Sequence, residues 1–311
     1  MISISKSSKI YVAGHNGMVG SACIKELKRN GYSNIIFLSS QQLDLRNQKK
    51  VEEFISKHKP EVIIDAAAIV GGIWANNEFP YKFLMDNMLM QNNLIKSAVD
   101  NKVKKFIFLG SSCIYPKLAP QPLKEKYLLS GDLEPSNQWY SIAKISGVKL
   151  IQAVRKEFEY DYVSLMPTNL YGLNDNYDLK TSHVLPALIR KFHEGKVNRQ
   201  ESVILWGSGT PLREFLHVND LALAVLFSLE NNLNESIYNI GSGEELTILE
   251  LAELIKKEIG FKGKIEWDSS KPDGTPRKFL DSSKFHKLGW KSKINLKAGI
   301  SLTYNDFLNL S

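Results

Sequence analysis

Tyr140 and Lys144 stand four residues apart in the run Tyr140-Ser141-Ile142-Ala143-Lys144, a spacing that sets both side chains on one face of a helix. A tyrosine, with its pKa of about 10, is a poor acid–base group at neutral pH, but a fixed ammonium beside it stabilises the phenolate. Ser111 ends the apolar run Phe106-Ile107-Phe108-Leu109-Gly110 upstream, and a hydroxyl there can hydrogen-bond a carbonyl oxygen under reduction. By itself a Tyr-x-x-x-Lys pair reads more readily as a surface aromatic beside a solvated lysine. A glycine turn nearer the N-terminus gives it chemical meaning.

That turn is Gly14-His15-Asn16-Gly17-Met18-Val19-Gly20, which follows the apolar run Ile10-Tyr11-Val12-Ala13 and opens a helical pattern. Gly14 and Gly17 carry no Cβ to hold the backbone away from a pyrophosphate, and Gly20 lets the helix lie close to the sheet. Free N–H groups and the helix dipole there make an anion site. The spacing is one residue off the usual Gly-x-Gly-x-x-Gly fingerprint. After the next strand come Ser39-Ser40-Gln41-Gln42, with neither an arginine for a 2′-phosphate nor a carboxylate for a 2′-hydroxyl. Asn16 sits in the turn, so these residues leave NADP and NAD both open. Asp44 is expected at the adenine edge.

The elements that must position these groups alternate. Strands are expected at 10–13, 35–39, 62–68, 106–111 and 162–166, and helices at 17–30, 44–57, 81–100 and 138–159. The long helix at 81–100 is expected to set Leu84, Met88, Asn92, Ile95 and Val99 on one face. Repeated β-α-β units with right-handed crossovers give an α/β fold, a doubly wound parallel sheet of Rossmann type with ligands at the strands' C-terminal ends. Past Tyr171-Gly172 the pattern loosens: helices at 183–193, 219–230 and 246–259, strands at 203–206, 236–240 and near 265, and a closing helix from about 296. The strand at 236–240 can return to the main sheet. The division expected is 1–172 plus about 219–241 for the dinucleotide, and 173–218 plus 242–311 for a smaller, discontinuous α/β substrate domain.

Composition sets limits. At 311 residues and 43% hydrophobic, the chain can bury a large core. No apolar run reaches the roughly 18 residues that span a bilayer, and Met1 to Ser8 carries no apolar core of a signal peptide. A cytoplasmic protein with no membrane partner is expected. Cys23 and Cys113 are too few for a disulfide framework, and Cys23 falls on the apolar side of the first helix. The net charge of +7 is spread along the chain without a basic run, which argues against nucleic acid and for an anionic cofactor and substrate. No metal is expected.

The sequence resembles the extended short-chain dehydrogenases/reductases that act on nucleotide sugars, and within them it is similar to epimerase/reductases of GDP-4-keto-6-deoxy-mannose. The glycine turn carries this, with Val70-Gly71-Gly72-Ile73, Gly110-Ser111-Ser112-Cys113-Ile114-Tyr115-Pro116, Met166-Pro167-Thr168-Asn169-Leu170-Tyr171-Gly172, Ser182-His183-Val184, Trp206-Gly207-Ser208-Gly209-Thr210-Pro211 and Lys271-Pro272-Asp273-Gly274-Thr275-Pro276-Arg277. The resemblance implies NADP, held by Gly14, His15, Asn16, Gly17, Met18, Val19, Gly20, Asp44, Leu109, Gly110, Ser111, Ser112, Tyr140, Lys144, Pro167, Thr168, Asn169, Leu170 and His183. It implies a GDP-sugar on Lys191, Trp206, Arg213 and Asp273, with Arg277 a further candidate. Lys191 stands where some relatives have arginine, which keeps charge and loses the bidentate fork. A homodimer is implied through the helices at 81–100 and 138–159, with Ile145, Val148, Ile151 and Val154 as apolar surface.

Cys113 refines the expected activity. Dehydratases of this superfamily place an acid at that point and UDP-sugar 4-epimerases a small apolar residue; this chain has neither. A C4 ketone acidifies the hydrogens on C3 and C5, which a Cys113 thiolate can remove and His183 can return from the opposite face. Tyr140 then gives its proton to O4 as hydride arrives at C4, with Ser111 polarising the carbonyl and Lys144 holding the ribose and lowering the tyrosine pKa. A lone cysteine near a strand end also reads as a small buried hydrophobe, and a lone histidine as structural. Two rival readings stand: a C4 reductase of a related sugar such as a GDP-4-keto-heptose, and a catalytically silent dinucleotide sensor, against which the paired Tyr140 and Lys144 speak.

Overall fold

The computed structural model describes residues 4–310. Met1 to Ser3, part of the N-terminal segment read above, and Ser311 lie outside the described residues. β1 (Ile10–Ala13) runs through the glycine turn into α1 (Met18–Arg29), followed by β2 (Ile35–Ile36), α2 (Gln48–His58) and β3 (Val62–Asp65). The Asn47 side chain caps α2 by accepting the Lys50 N–H at 3.1 Å. Next come α3 (Ile73–Glu78), α4 (Pro80–Asp100), β4 (Lys105–Leu109), α5 (Gln138–Phe158), β5 (Asp161–Pro167) and β6 (Asn169–Tyr171). The remainder is α6 (Val184–Val197), β7 (Ser202–Trp206), β8 (Leu212–His217), α7 (Val218–Glu230), β9 (Ile237–Ile240), β10 (Glu245–Thr247), α8 (Ile248–Ile259), β11 (Lys264–Asp268), β12 (Arg277–Lys278), α9 (Ser283–Lys287) and α10 (Leu296–Leu310).

The main sheet runs β2-β1-β3-β4-β5-β9, every neighbouring pair parallel. Its inner strands are covered on both faces, which is why they read as unbroken apolar runs. Ile63, Phe106 and Phe108 face a core shared with α2, α4 and α5. Ile64, Ile107 and Leu109 face the other, built with α1 and α7. Cys23 packs there, fully buried, with its thiol pushed up to about 12 by burial. Phe285 of α9 and Trp290 join that second core although they follow residue 241. A third core gathers α6, α8 and α10, beside a sheet in which β8 pairs with β6, β10 and β12 and beside the pair β7 and β11.

Three expectations are corrected. The strand at 35–39 shortens to two residues, because Phe37 turns outward to 39% exposure. The buried face of α4 is Phe83, Asn87, Gln91, Asn93, Leu94, Ile95, Ser97 and Ala98. Three amides belong to it: Asn87 bonds the backbone of Ile69 and Phe83, Gln91 Nε2 donates to the carbonyl of Ala143 and Asn93 Nδ2 to that of Leu45, so their donors are answered inside. Ile145, Val148, Ile151 and Val154 offer no surface to a second copy: they are buried against the sheet. The large apolar residues that α4 and α5 leave exposed are Tyr81, Met85, Leu89, Trp139, Ile142 and, at the far end of α5, Phe158.

Candidate functional site

At the C-terminal ends of β1, β3, β4 and β5 the chain builds a cleft, and its floor is the glycine turn. Gly14 has φ +78 and a Cβ there would lie 2.6 Å from Ala66 O; one on Gly20 would lie 2.2 Å from Gly14 O. Only glycine fits either position. Gly17 caps α1 without any side-chain hydrogen bond, so the first N–H groups of the helix stay free for an anion.

Beside this turn lies a cavity of about 270 Å³. Its walls include Met18, Val19, Leu109, Gly110, Ser111, Ser112, Tyr140, Lys144, Pro167, Thr168, Asn169, Leu170 and His183, all singled out above. Gly14, His15, Asn16, Gly17 and Gly20 form the turn outside this lining. The His15 ring lies 4.7 Å from that of Phe37. Asp44 also lies outside it, its carboxylate engaged by the backbone and guanidinium of Arg46. The free helix N-terminus and the space the glycines leave fit a dinucleotide.

A second cavity, of about 530 Å³, opens against the second sheet and is lined by Lys191, Trp206, Arg213 and Asp273. Gly72, Ile73, Asn137, His183 and Lys278 line both cavities. Trp206 is 50% exposed, with Lys191 Nζ and Lys271 Nζ each 5.8 Å from its ring, a flat surface flanked by cations. Arg213 donates to the carbonyls of Leu212 and Asp273, and burial lowers its pKa. Asp273 is tied to the glycine turn after β7, accepting Ser208 N at 2.7 Å and Ser208 Oγ at 2.8 Å. Arg277 is corrected: its guanidinium pairs with Glu245 and does not line the large cavity.

Where the cavities meet, the reactive groups converge. Cys113 is half-buried, and its sulfur accepts hydrogen bonds from Asn137 Nδ2 at 3.4 Å and Lys278 Nζ at 3.5 Å. It is therefore not packed into hydrocarbon. Ser111 caps the short turn that carries Cys113, its Oγ accepting the Cys113 N–H at 3.2 Å, and its hydroxyl lies close enough to the Tyr140 phenol to favour the phenolate. His183, just before α6, opens onto the cavity yet is crowded by its walls. That crowding, and then the Lys278 cation, lower its pKa.

Lys144 is buried, donates to Leu109 O at 2.8 Å and lies 6.0 Å from the Tyr140 ring. Its pKa is brought down to about 8 by burial. The expected lowering of the Tyr140 pKa is corrected: burial, then Cys113, hold the phenol above its ordinary value, against a smaller opposing effect of the nearby Ser111 hydroxyl. A phenol that keeps its proton at neutral pH is the right form for giving one to an alkoxide. The ammonium matters afterwards, beside the phenolate left behind.

Lys278 and Asn137 were not singled out from the sequence. Lys278 follows Arg277 in β12, where successive side chains point to opposite faces. The charged run was recognised, and its strand parity selects the next residue.

An α/β fold with a tyrosine–lysine helix beside a glycine-turn dinucleotide cleft and a second cavity defines a nucleotide-sugar-modifying dehydrogenase/epimerase class. The chain belongs to the NAD dependent epimerase/dehydratase family, whose model matches residues 10–241. It is 55% identical over 303 residues to GDP-L-fucose synthase 1 of Arabidopsis thaliana, covering 97% of this chain and 94% of the relative. Among solved structures it is similar to a GDP-6-OMe-4-keto-L-xylo-heptose reductase from C. jejuni, with TM-score 0.94 and 34% identity over all of both chains. It is also similar to a GDP-L-fucose synthetase from Naegleria fowleri bound to NADP, with TM-score 0.89 and 30% identity over 99% of this chain and 96% of that one.

Proposed function

We propose that the chain converts GDP-4-keto-6-deoxy-mannose to GDP-L-fucose, inverting C3 and C5 and then reducing C4, with NADPH. The observation that carries this is the meeting of a thiol, an imidazole and a phenol in one pocket, with Lys278 and Asn137 aimed at the sulfur. The Cys113 thiolate takes a proton from the carbon next to the ketone, leaving an enolate, and His183 delivers a proton to the opposite face of that carbon. Repeated at the other centre, this inverts both. A bound reduced nicotinamide supplies the hydride for C4. Ser111 polarises the carbonyl, Tyr140 gives its proton to O4, and Lys144 steadies the phenolate that results.

The residues lining the large cavity, Trp206, Arg213, Lys191 and Asp273, are assigned to the GDP moiety, Trp206 through stacking and Arg213 and Lys191 through the diphosphate. NADPH is supported by the NADP-bound relative and by the Ser39-Ser40-Gln41-Gln42 segment, where no carboxylate repels a 2′-phosphate. The division into a dinucleotide unit, 1–172 plus about 219–241, and a substrate unit, 173–218 plus 242–311, belongs to this reading, with β9 in the main sheet in its support. So does a homodimer, now through Tyr81, Met85, Leu89, Trp139 and Ile142. Among the described residues no helix is long and apolar enough to cross a membrane, and both cysteines are free, which supports a cytoplasmic site.

Similarity along its whole length to a heptose reductase favours a second reading, C4 reduction of a GDP-4-keto-heptose. One experiment decides: each keto sugar is incubated with NADPH or NADH while absorbance at the nicotinamide band is followed. The proposal expects NADPH consumption with the 6-deoxy hexose and GDP-L-fucose as product. Turnover of the heptose alone would replace it with the second reading.

A further inference from the structure

β3 ends on a carboxylate that this scheme does not use. Asp65 is fully buried. Its Oδ1 accepts the Ala67 N–H at 3.1 Å, and its Oδ2 has no hydrogen-bond partner. A carboxylate left so in a dry interior needs a cation nearby.

The sheet supplies one. Asp65 pairs in register with Phe108, as Ile63 pairs with Phe106 two residues earlier, and Ile63, Phe106 and Phe108 all face the α4–α5 side. Strand alternation therefore turns Asp65 the same way. On that side Lys144 Nζ lies 4.6 Å from the Phe108 ring, close enough that the Asp65 and Lys144 charges favour one another. Beside them stands Tyr11 of β1, held protonated by burial and then by Asp65, and α4 buries only uncharged residues on this side. Tyr140 of α5 faces Lys144 from the cavity side.

We propose that Asp65 is the counter-ion that keeps Lys144 an ammonium inside the dry pocket, and so sets the upper pH limit of ketone reduction without taking part in epimerisation. This rests on the assignment of Tyr140 and Lys144 to the reductive step. Asp65 is a positioning residue; it acts on the reaction only through Lys144. Burial lifts Asp65 to about 6 and brings Lys144 down to about 8. Between those values the pair is carboxylate and ammonium. With the carboxylate gone, Lys144 loses the interaction that opposes its burial, and the amine turns neutral at lower pH.

Asp65→Asn keeps the shape and removes the charge. In this variant the basic limb of the reduction rate moves to lower pH by about one unit, so reduction at pH 8 falls about tenfold relative to pH 6.5 while the wild type changes little. Wash-in of solvent deuterium at C3 and C5 keeps its wild-type rate at each pH. The dissociation constant of NADPH, read from nicotinamide fluorescence, shows the same displacement and needs no turnover, since Lys144 holds the ribose. An unmoved basic limb and an unmoved NADPH profile overturn the proposal, as does an equal loss of exchange and reduction at every pH. If Asp65→Asn does not fold, Asp65→Leu, which fills the space with hydrocarbon, is read in the same way. Failure of the functional reading itself would show as a wild type that turns over none of the keto sugars.

Discussion

The Lys278 ammonium donates to the Cys113 sulfur at 3.5 Å across 165 residues of chain. The same lysine lines both cavities and lowers the pKa of His183. One cation thus touches the proposed base and acts electrostatically on the proposed acid of epimerisation. Thiolates used as bases sit beside such cations.

Replacing Lys278 by Met keeps much of the length and removes the charge. Deuterium exchange at C3 and C5 of the 4-keto sugar slows by about 10- to 100-fold at neutral pH, the worth of one hydrogen bond to a charged group. Reduction of a substrate already epimerised stays near the wild-type rate. Exchange and reduction followed by NMR in one tube separate the two; equal loss of both would place Lys278 in substrate binding.

Gly20 touches the turn it supports. A methyl at Gly20→Ala would press on the Gly14 backbone at 2.2 Å, which must move and take the free N–H groups of α1 with it. The variant binds NADPH at least about tenfold more weakly and loses about 1 to 3 kcal/mol of stability. Fluorescence titration and urea unfolding measure the two. Gly17→Ala, whose Cβ would meet Gly14 O at 3.4 Å, is the milder control.

His217 links the fold to acid. It is fully buried, its Nδ1 accepts the Asn219 N–H at 3.2 Å, its Nε2 has no partner, and burial lowers its pKa from 6.5 to about 4. Between those values the unfolded chain binds a proton that the folded one refuses. Stability is therefore full above pH 6.5 and declines as pH falls toward 4, by about 3 kcal/mol from this group. His217→Asn retains an acceptor for the N-cap and flattens that part of the curve. Urea midpoints between pH 4 and 7 decide it; an unchanged slope would remove His217 from the acid response.

The parallel sheet was legible because strands covered on both faces write themselves as apolar runs. Tyr140, Lys144 and Ser111 were legible because their geometry is local to one helix and one strand end. The α4 stripe was misread because Asn87 and Gln91 are buried while their amide nitrogens donate to backbone carbonyls inside the core, which a pattern of apolar residues does not register. Lys278, Asn137 and Asp65 were silent for a common reason. Their partners come from elements far along the chain, and Arg277, the more conspicuous charge, is taken by Glu245 of β10, across the intervening β8.

Cys113→Ser, run in deuterium oxide with NADPH and the 4-keto-6-deoxy sugar, tests the division of labour in the pocket most directly. The expected result is a reduced product carrying no solvent deuterium at C3 or C5, with C4 reduction retained through Tyr140. A variant that still incorporates deuterium at both carbons at the wild-type rate would contradict the assignment of Cys113 as the base.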